Sequence, residues 1–300
     1  MTTTVCRVCN SAYLTTLGPL PNVRHFAGRD HGNTLRGGML YRCEECRFVF
    51  RDPPLKQAEY DELYRRGSGS VWDAQVQRED FRLVRQLLTT NCYGDDVLDV
   101  GCYSGTLLSS LPSKYRLYGI ELNQAAAGAA AQRGVQIVAS AVNEMALVDQ
   151  RFDTIISCDV IEHLLNPLDF LQQLRSRLKP GGRIVITTGN ADAWLWRLCG
   201  SRFWYCYFPE HISFVGSRWL QLMPQTIGLK VEQLMPFNYR FQQQYCNRSL
   251  PILAAALVYA AAPNAYRSIR HAIRGHQSRE FSPPGCGASK DHLLCVMAAT

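Results

Sequence analysis

The nine residues Val97-Leu98-Asp99-Val100-Gly101-Cys102-Tyr103-Ser104-Gly105 constrain the fold more than any other segment. A short apolar run reads as a buried strand over 97–100. Two glycines follow at a spacing of four, and the helically spaced Leu107, Leu108 and Leu111 predict a helix over 104–111. Gly101 and Gly105 allow the backbone to approach a ligand where a Cβ would intrude. A helix starting there would offer free N–H groups and a positive dipole end, suited to a carboxylate. Asp99 precedes the turn, where it can order the loop or reach an amino group.

Downstream the pattern alternates. Strands are predicted over 115–121, 135–139, 152–157 and 183–188, and helices over 123–133 and 167–178. Asn123 is placed to cap its helix and Gly134 to end it, while Pro180-Gly181-Gly182 closes the next one. Strand and helix alternating at this spacing imply right-handed β-α-β units and a parallel sheet. A helix over 217–227, a strand over 229–236 and a last strand over 292–297 complete the layout. Upstream, 56–92 reads as helical from Phe81, Val84, Leu87 and Leu88. No internal repeat is present.

The order of motifs is more specific than the glycine turn, which nicotinamide-binding folds share. The string Y-G-I-E-L places Glu121 at a strand's carboxyl end. F-D-T-I-I-S-C-D-V-I-E-H-L then precedes a helix and L-K-P-G-G-R-I-V-I-T. Over about 80–235 this succession resembles the class I S-adenosylmethionine (SAM)-dependent methyltransferase family. The resemblance implies an α/β fold with a Rossmann-like seven-stranded sheet. It also implies cofactor contacts at Asp99, Gly101, Gly105 and Glu121, with Glu121 accepting the ribose hydroxyls and Asp159 and Val160 close by. The family usually carries glycine where this chain has Tyr103. A tyrosine there would cover the methionine end of the cofactor, narrow its pocket, or weaken binding.

Of twelve cysteines, four form two C-x-x-C pairs, Cys6/Cys9 and Cys43/Cys46. Four thiolates in a tetrahedron suit structural Zn2+, with an iron–sulfur cluster or redox-active pairs as alternatives. The long gap over 10–42 fits a zinc-ribbon-like unit with an inserted loop. A four-cysteine unit containing L-G-P-L-P-N ahead of a SAM domain is similar to the front half of sugar C-methyltransferases acting on nucleotide-linked deoxysugars. The paired cysteines and the polar start of the chain place the protein in the reducing cytoplasm. The longest apolar run, 250–262, is too short to span a bilayer.

The net charge of +7 is concentrated: between Arg240 and Lys290 there are seven basic residues against Glu280 alone. Arg267, Arg270, His271 and Arg274 share a helix face. They read as an anion site, for a diphosphate-linked substrate or acidic lipid headgroups at a membrane surface, or as a solvated surface. Aromatics do not interleave with this charge, which argues against nucleic acid.

Transfer to a hydroxyl requires a base, and histidine is best matched near neutral pH. His163, after the fourth strand, and His211, after the fifth, both follow strand carboxyl ends, where such sheets bind ligands. The division expected is a zinc-binding unit (1–55), a helical linker (56–92), a methyltransferase core (93–239), a helical basic insertion (240–285) and a final core strand (286–300). The function expected is SAM-dependent methylation of a small-molecule acceptor, a sugar or sugar-like hydroxyl in glycan or natural-product biosynthesis. C-methylation of a nucleotide-linked deoxysugar and a non-catalytic SAM-fold binding module are the alternatives.

Overall fold

The computed structural model describes residues 4–27, 29–55, 57–66, 78–91, 93–238 and 289–300, with scattered positions between 254 and 272. The cysteine-bearing segment forms β1 (Leu14–Pro19), β2 (Val23–Phe26), β3 (Arg29–Leu35), β4 (Met39–Cys43) and β5 (Val49–Asp52). β2 and β3 make a separate hairpin inside the long gap between the cysteine pairs, while β1, β4 and β5 pair antiparallel. Two helices follow, α1 (Gln57–Arg66) and α2 (Glu79–Thr90).

The alternating part comprises β6 (Asp96–Val100), α3 (Thr106–Ser109), β7 (Arg116–Ile120), α4 (Gln124–Gln132), β8 (Gln136–Ala139), β9 (Phe152–Cys158), α5 (Pro167–Ser176) and β10 (Leu178–Gly189). After α6 (Trp194–Cys199) come β11 (Ser213–Phe214), α7 (Ser217–Leu222), β12 (Leu229–Phe237) and β13 (His292–Ala299). The main sheet has seven strands in the order β12-β13-β10-β9-β6-β7-β8. β6 to β10 are parallel, whereas β13 runs antiparallel between β10 and β12. This is the Rossmann-like methyltransferase sheet expected. Because β13 is antiparallel, its first residue, His292, pairs with Gly189 at the carboxyl end of β10.

Three helices are shorter than the apolar spacing predicts. The one expected over 104–111 is the single turn α3. Gly105 opens it in the left-handed conformation, and Pro112 bars Leu111 from continuing it. The dipole of so short a helix is small, which removes the argument that its N-terminus binds an anion. α5 ends at Ser176, before the expected 178. Pro224 divides the helix expected over 217–227 into α7 and a 3-10 turn. Asn123 and Asn166 cap α4 and α5 as their residue types dictate, each accepting from the first turn's N–H groups.

Both faces of the main sheet are buried. On one, Leu98, Ile120, Ile155 and Ile186 pack under Phe170, Leu174 and Trp219, and Cys6, Cys43, Cys46 and Phe48 join the same core. On the other, Val97, Ile156 and Val185 meet Val84, Leu88, Leu107 and Ala130. The four-cysteine unit therefore borrows its core from the sheet. β11, contributed from far along the chain, pairs with β5 and becomes that unit's fourth strand. The aromatic segment after β10 packs against this unit, with Trp196, Phe203 and Tyr205 against Leu20, Leu40 and Val49. Among the described residues between 254 and 272, most are helical, and Tyr259 is buried with its hydroxyl donating to the Arg202 carbonyl. Among the described residues, no helix is long and apolar enough to cross a membrane.

Trp219 is fully buried and its ring lies 6.1 Å from that of Phe48, joining the two sheets. Trp219→Ala is expected to cost about 3–5 kcal/mol in chemical denaturation. A loss below about 1 kcal/mol would show that the two sheets do not depend on this contact.

Candidate active site

The loop after β6 turns on Gly101, whose φ is 79° and whose missing Cβ would stand 2.7 Å from Val160 Cγ2. Its N–H and that of Cys102 donate to the Ile120 carbonyl, binding the loop to the end of β7. Tyr103 takes the left-handed conformation, φ 47°, that costs a non-glycine residue about 1–2 kcal/mol. Its N–H donates to Glu121 Oε2 (2.9 Å) and the Asn123 N–H donates to Oε1 (2.7 Å). A carboxylate has about four acceptor directions, so two remain for the hydroxyls of a ribose. Burial raises the Glu121 pKa against these two bonds, which lower it.

Acidic groups dominate the space in front of this loop. Asp99 is 4% exposed, its Oδ1 is buried without a partner, and burial pushes its pKa up to about 8 despite the nearby Arg78. Asp159, at φ 53°, is also raised by burial, and its Oδ1 too lacks a partner. Arg78, just before α2, pairs with Asp159 (2.7 Å) and with the fully buried Asp80. Three buried or half-buried carboxyls thus surround one guanidinium. Charge of that balance favours a cation, and two unpartnered carboxyl oxygens are available to meet it. SAM carries both an ammonium and a sulfonium.

Beyond Asp159 the two histidines converge, their ring centroids 5.0 Å apart. His163 ends a 3-10 turn, with Nδ1 3.1 Å from the Glu210 carbonyl and 2.7 Å from the Tyr64 hydroxyl. His211 Nδ1 donates to the Tyr205 carbonyl at 2.9 Å, since a carbonyl only accepts. That leaves His211 Nε2 as the basic nitrogen. Burial lowers the pKa of His163, and that of His211 further, so both are neutral near pH 7. Glu162 lies beneath them, 1% exposed, accepting from the Tyr205 and Thr188 hydroxyls. His292 packs 5.3 Å from the Tyr205 ring. Burial alone would depress it, but Asp291 at 3.1 Å and the charges of Asp159 and Glu162 raise it overall. Glu162, Tyr64, Tyr205 and the His292–Asp291 pair were not singled out by sequence reasoning.

The four cysteines form a second centre. Cys6 and Cys46 sulfurs are 3.5 Å apart, as are those of Cys9 and Cys43, and all four lie within 4.8 Å of one another. A tetrahedral ion with 2.3 Å bonds to sulfur needs edges of about 3.8 Å, so the set fits. The two pairs share one turn: Asn10 and Arg47 follow the second cysteine in left-handed conformations (φ 60° and 65°) and donate N–H to the carbonyls of Cys6 and Cys43. Glu162, His163 and His211 also bring one ligand atom each within 4.8 Å. Glu162 also accepts from the Tyr205 and Thr188 hydroxyls, so the trio is part of a wider hydrogen-bonded network. The candidate anion residues Arg267, Arg270 and Arg274 lie outside the described residues.

Comparison with known proteins identifies the family and the fold. The methyltransferase domain family matches residues 72–234. The ubiquinone biosynthesis O-methyltransferase of Aeromonas salmonicida is 24% identical over 49% of this chain and 68% of its own length. That of an Azoarcus species is 26% identical over 49% and 69%. Among solved structures, a chain from the complex of the Haloferax volcanii Trm112 methyltransferase activator superposes with a TM-score of 0.53, 15% identity, and coverage of 80% of this chain and 97% of that one. A SAM-dependent methyltransferase from Thermotoga maritima gives 0.50, 14%, 80% and 100%. These likenesses show the fold.

A cation bound against Asp99 would favour its ionised form, so SAM bound there would displace the Asp99 proton below about pH 8. SAM affinity is therefore expected to rise with pH from about 6 and level off above about 8, by up to about tenfold per unit. Asp99→Asn should flatten the part of this slope that belongs to the carboxyl. Isothermal titration of both proteins over this range checks it, and parallel slopes would reject it.

Proposed function

The chain belongs to the methyltransferase domain family, and from that premise we propose that it moves the methyl group of SAM to a hydroxyl of a small, sugar-like acceptor in glycan or natural-product biosynthesis. The observation that carries the reading is the pair of neutral imidazoles, 5.0 Å apart, beside the acidic cofactor cleft. In-line displacement at the sulfonium neutralises the donor while the acceptor oxygen loses a proton. His211 Nε2 takes that proton. His163 and Tyr64 orient the acceptor, and the carboxyls of Glu162 and Asp159 stabilise the imidazolium as it forms. Asp99 and Glu121 hold the ammonium and the ribose, Gly101 and Gly105 admit the backbone to close approach, and Val160 and Tyr103 border the sulfonium end.

Oxygen as the acceptor atom is supported by relatives whose names specify O-methylation. A sugar-like acceptor is supported by the four-cysteine unit ahead of the cofactor domain, which we assign to Zn2+. In this reading Arg267, Arg270 and Arg274 take a nucleotide or lipid phosphate carried by the acceptor. C-methylation of a nucleotide-linked deoxysugar is the second reading, favoured by the same cysteine unit, and His211 would then remove a proton from carbon.

Incubation with methyl-labelled SAM and a panel of nucleotide-linked sugars, lipid-phosphate-linked sugars and phenols, read by NMR of the product, separates these outcomes. A methyl ether on a sugar supports the proposal, whereas a carbon-bound methyl establishes the second reading. Label on phenols alone would overturn the sugar assignment. Intact SAM binding with no transfer to any acceptor would make the chain a binding module. His211→Ala is expected to lower kcat by about 10²–10⁴ with SAM affinity retained. Unchanged turnover would remove His211 as the base. Replacing Arg267, Arg270 and Arg274 together by glutamine should raise KM for a phosphate-linked acceptor, and an unaltered KM rejects the phosphate contact.

A further inference from the structure

Arg51 on β5 is 3% exposed, and among the described residues its hydrogen bonds go to backbone carbonyls, with the charge of Glu210 nearby. Nε donates to the carbonyl of His211 (3.2 Å), Nη2 to those of Cys206 (2.9 Å) and Phe208 (3.0 Å), and Nη1 to that of Gly37 (3.1 Å). Three of the four acceptors belong to the loop 206–211 that ends in His211. Its own N–H donates to the Ile212 carbonyl (3.0 Å). The same carbonyl receives Nη2 of Arg7 at 2.9 Å, and Arg7 lies between Cys6 and Cys9. Arg51 and Arg7 thus reach the two peptides on either side of Ile212, Arg7 from between the first cysteine pair and Arg51 from the strand that follows the second. The strand register continues the attachment, with Ser213 opposite Phe50 and Phe214 opposite Val49, and the Cys43 N–H donates to Phe48 at the head of β5.

A guanidinium buried against carbonyls is a costly way to tie two segments unless their relative position matters. A loop that only had to be covered could be held by apolar contacts. The fork geometry of Arg51 instead fixes three carbonyls of one loop at once, and with them the backbone from which the His211 imidazole reaches the Tyr205 carbonyl. None of these contacts involves Asp99, Gly101, Tyr103 or Glu121, which hold the cofactor.

We propose that Arg51 and Arg7 are positioning residues through which a metal-loaded Cys6/Cys9/Cys43/Cys46 cluster sets the His211 imidazole for methyl transfer, so that metal occupancy controls transfer without controlling cofactor binding. This rests on the reading of His211 as the base. A divalent metal ion would displace the thiol protons, bind the four converging thiolates and lock both turns; Arg7 lies within the first turn and Arg51 on the strand that follows the second. Loss of the ion frees the two turns from each other, and the His211 peptide loses its fixed frame.

The test uses the full chain loaded with Co2+, whose thiolate charge-transfer absorption reports occupancy directly. Arg51→Gln, which cannot span the same carbonyls, is expected to keep that absorption and the SAM dissociation constant, to shift the His211 imidazole resonances in NMR, and to lower kcat by about 10²-fold. Arg51→Lys should restore part of the loss, because it keeps the charge without the fork. Combined with His211→Ala, Arg51→Gln should produce no further loss of kcat. Chelation should move the His211 resonances the same way, and readdition of Co2+ should return them. If stripping unfolds the chain, the loaded Arg51→Gln protein still decides the matter. Unmoved His211 resonances in that loaded variant overturn the proposal, as does an equal loss of SAM affinity. Unchanged turnover in His211→Ala alone would instead show that the base assignment has failed, while the resonance shifts would still report whether the clamp exists.

Discussion

Buried negative charge is the constraint around which this molecule is arranged. Asp80, Asp99 and Asp159 stand at the carboxyl ends of the central strands or against them, with Arg78 as their shared cation. Desolvation of such a group favours its protonated form, and that is the direction taken by both Asp99 and Asp159. A ligand that brings positive charge into the cleft reverses this preference, so binding energy comes from satisfying carboxyls the fold has left underpaired. Methyl transfer removes the sulfonium charge. The neutral thioether product is held by one electrostatic contact fewer than the substrate, which favours its release. In the proposed function the same charge pattern would both recruit the cofactor and help to clear the site.

The loop that faces this cleft is held by a local exchange of strain for hydrogen bonds. Tyr103 occupies a backbone conformation natural to glycine, and the Glu121 carboxylate anchors its N–H. Charge-assisted bonds of this kind are worth roughly 1.5–3 kcal/mol, comparable to the conformational cost of the tyrosine. The position therefore tolerates a side chain because Glu121 compensates for it. Glu121 shapes the loop, and in the proposed function its remaining lone pairs would meet a ribose.

The sequence made the alternating core readable because parallel strands buried on both faces have to be continuous apolar runs, as in Val97 to Val100 and Ile184 to Ile186. Asn123 announced its helix through capping chemistry, whereas the cap at Asn166 was not read from the sequence. Proline effects were harder to weigh: Pro112 and Pro224 each shorten a helix whose apolar spacing ran on past them. Cys6, Cys9, Cys43 and Cys46 were legible from spacing alone, and so was the glycine turn. Other parts of the site had no local signature. Tyr64 reaches His163 from a helix almost a hundred residues away in sequence. His292 arrives at the ligand end only because β13 runs against its neighbours, a fact of topology that no window of residues encodes. Arg51 looked like one basic residue at the end of a short strand, and its partners are more than 150 residues distant apart from Gly37.

That last case bears on how the small sheet and the large one came to be one object. A unit with as little apolar surface as residues 4–55 gains stability by sharing a core, and Phe48 packing on Trp219 accomplishes this. Sharing a core does not require the donation of a strand, yet β11 leaves the main fold to pair with β5. Nor does it require a buried arginine whose targets are peptides next to a histidine. Both features restrict the position of one loop by directional hydrogen bonds, which apolar packing does not supply. Where proton transfer depends on a nitrogen held within hydrogen-bond reach of an acceptor hydroxyl, that residual freedom translates into rate. If His211 is the base, the four-cysteine unit is part of the wall of the active site rather than an appendage to a cofactor domain.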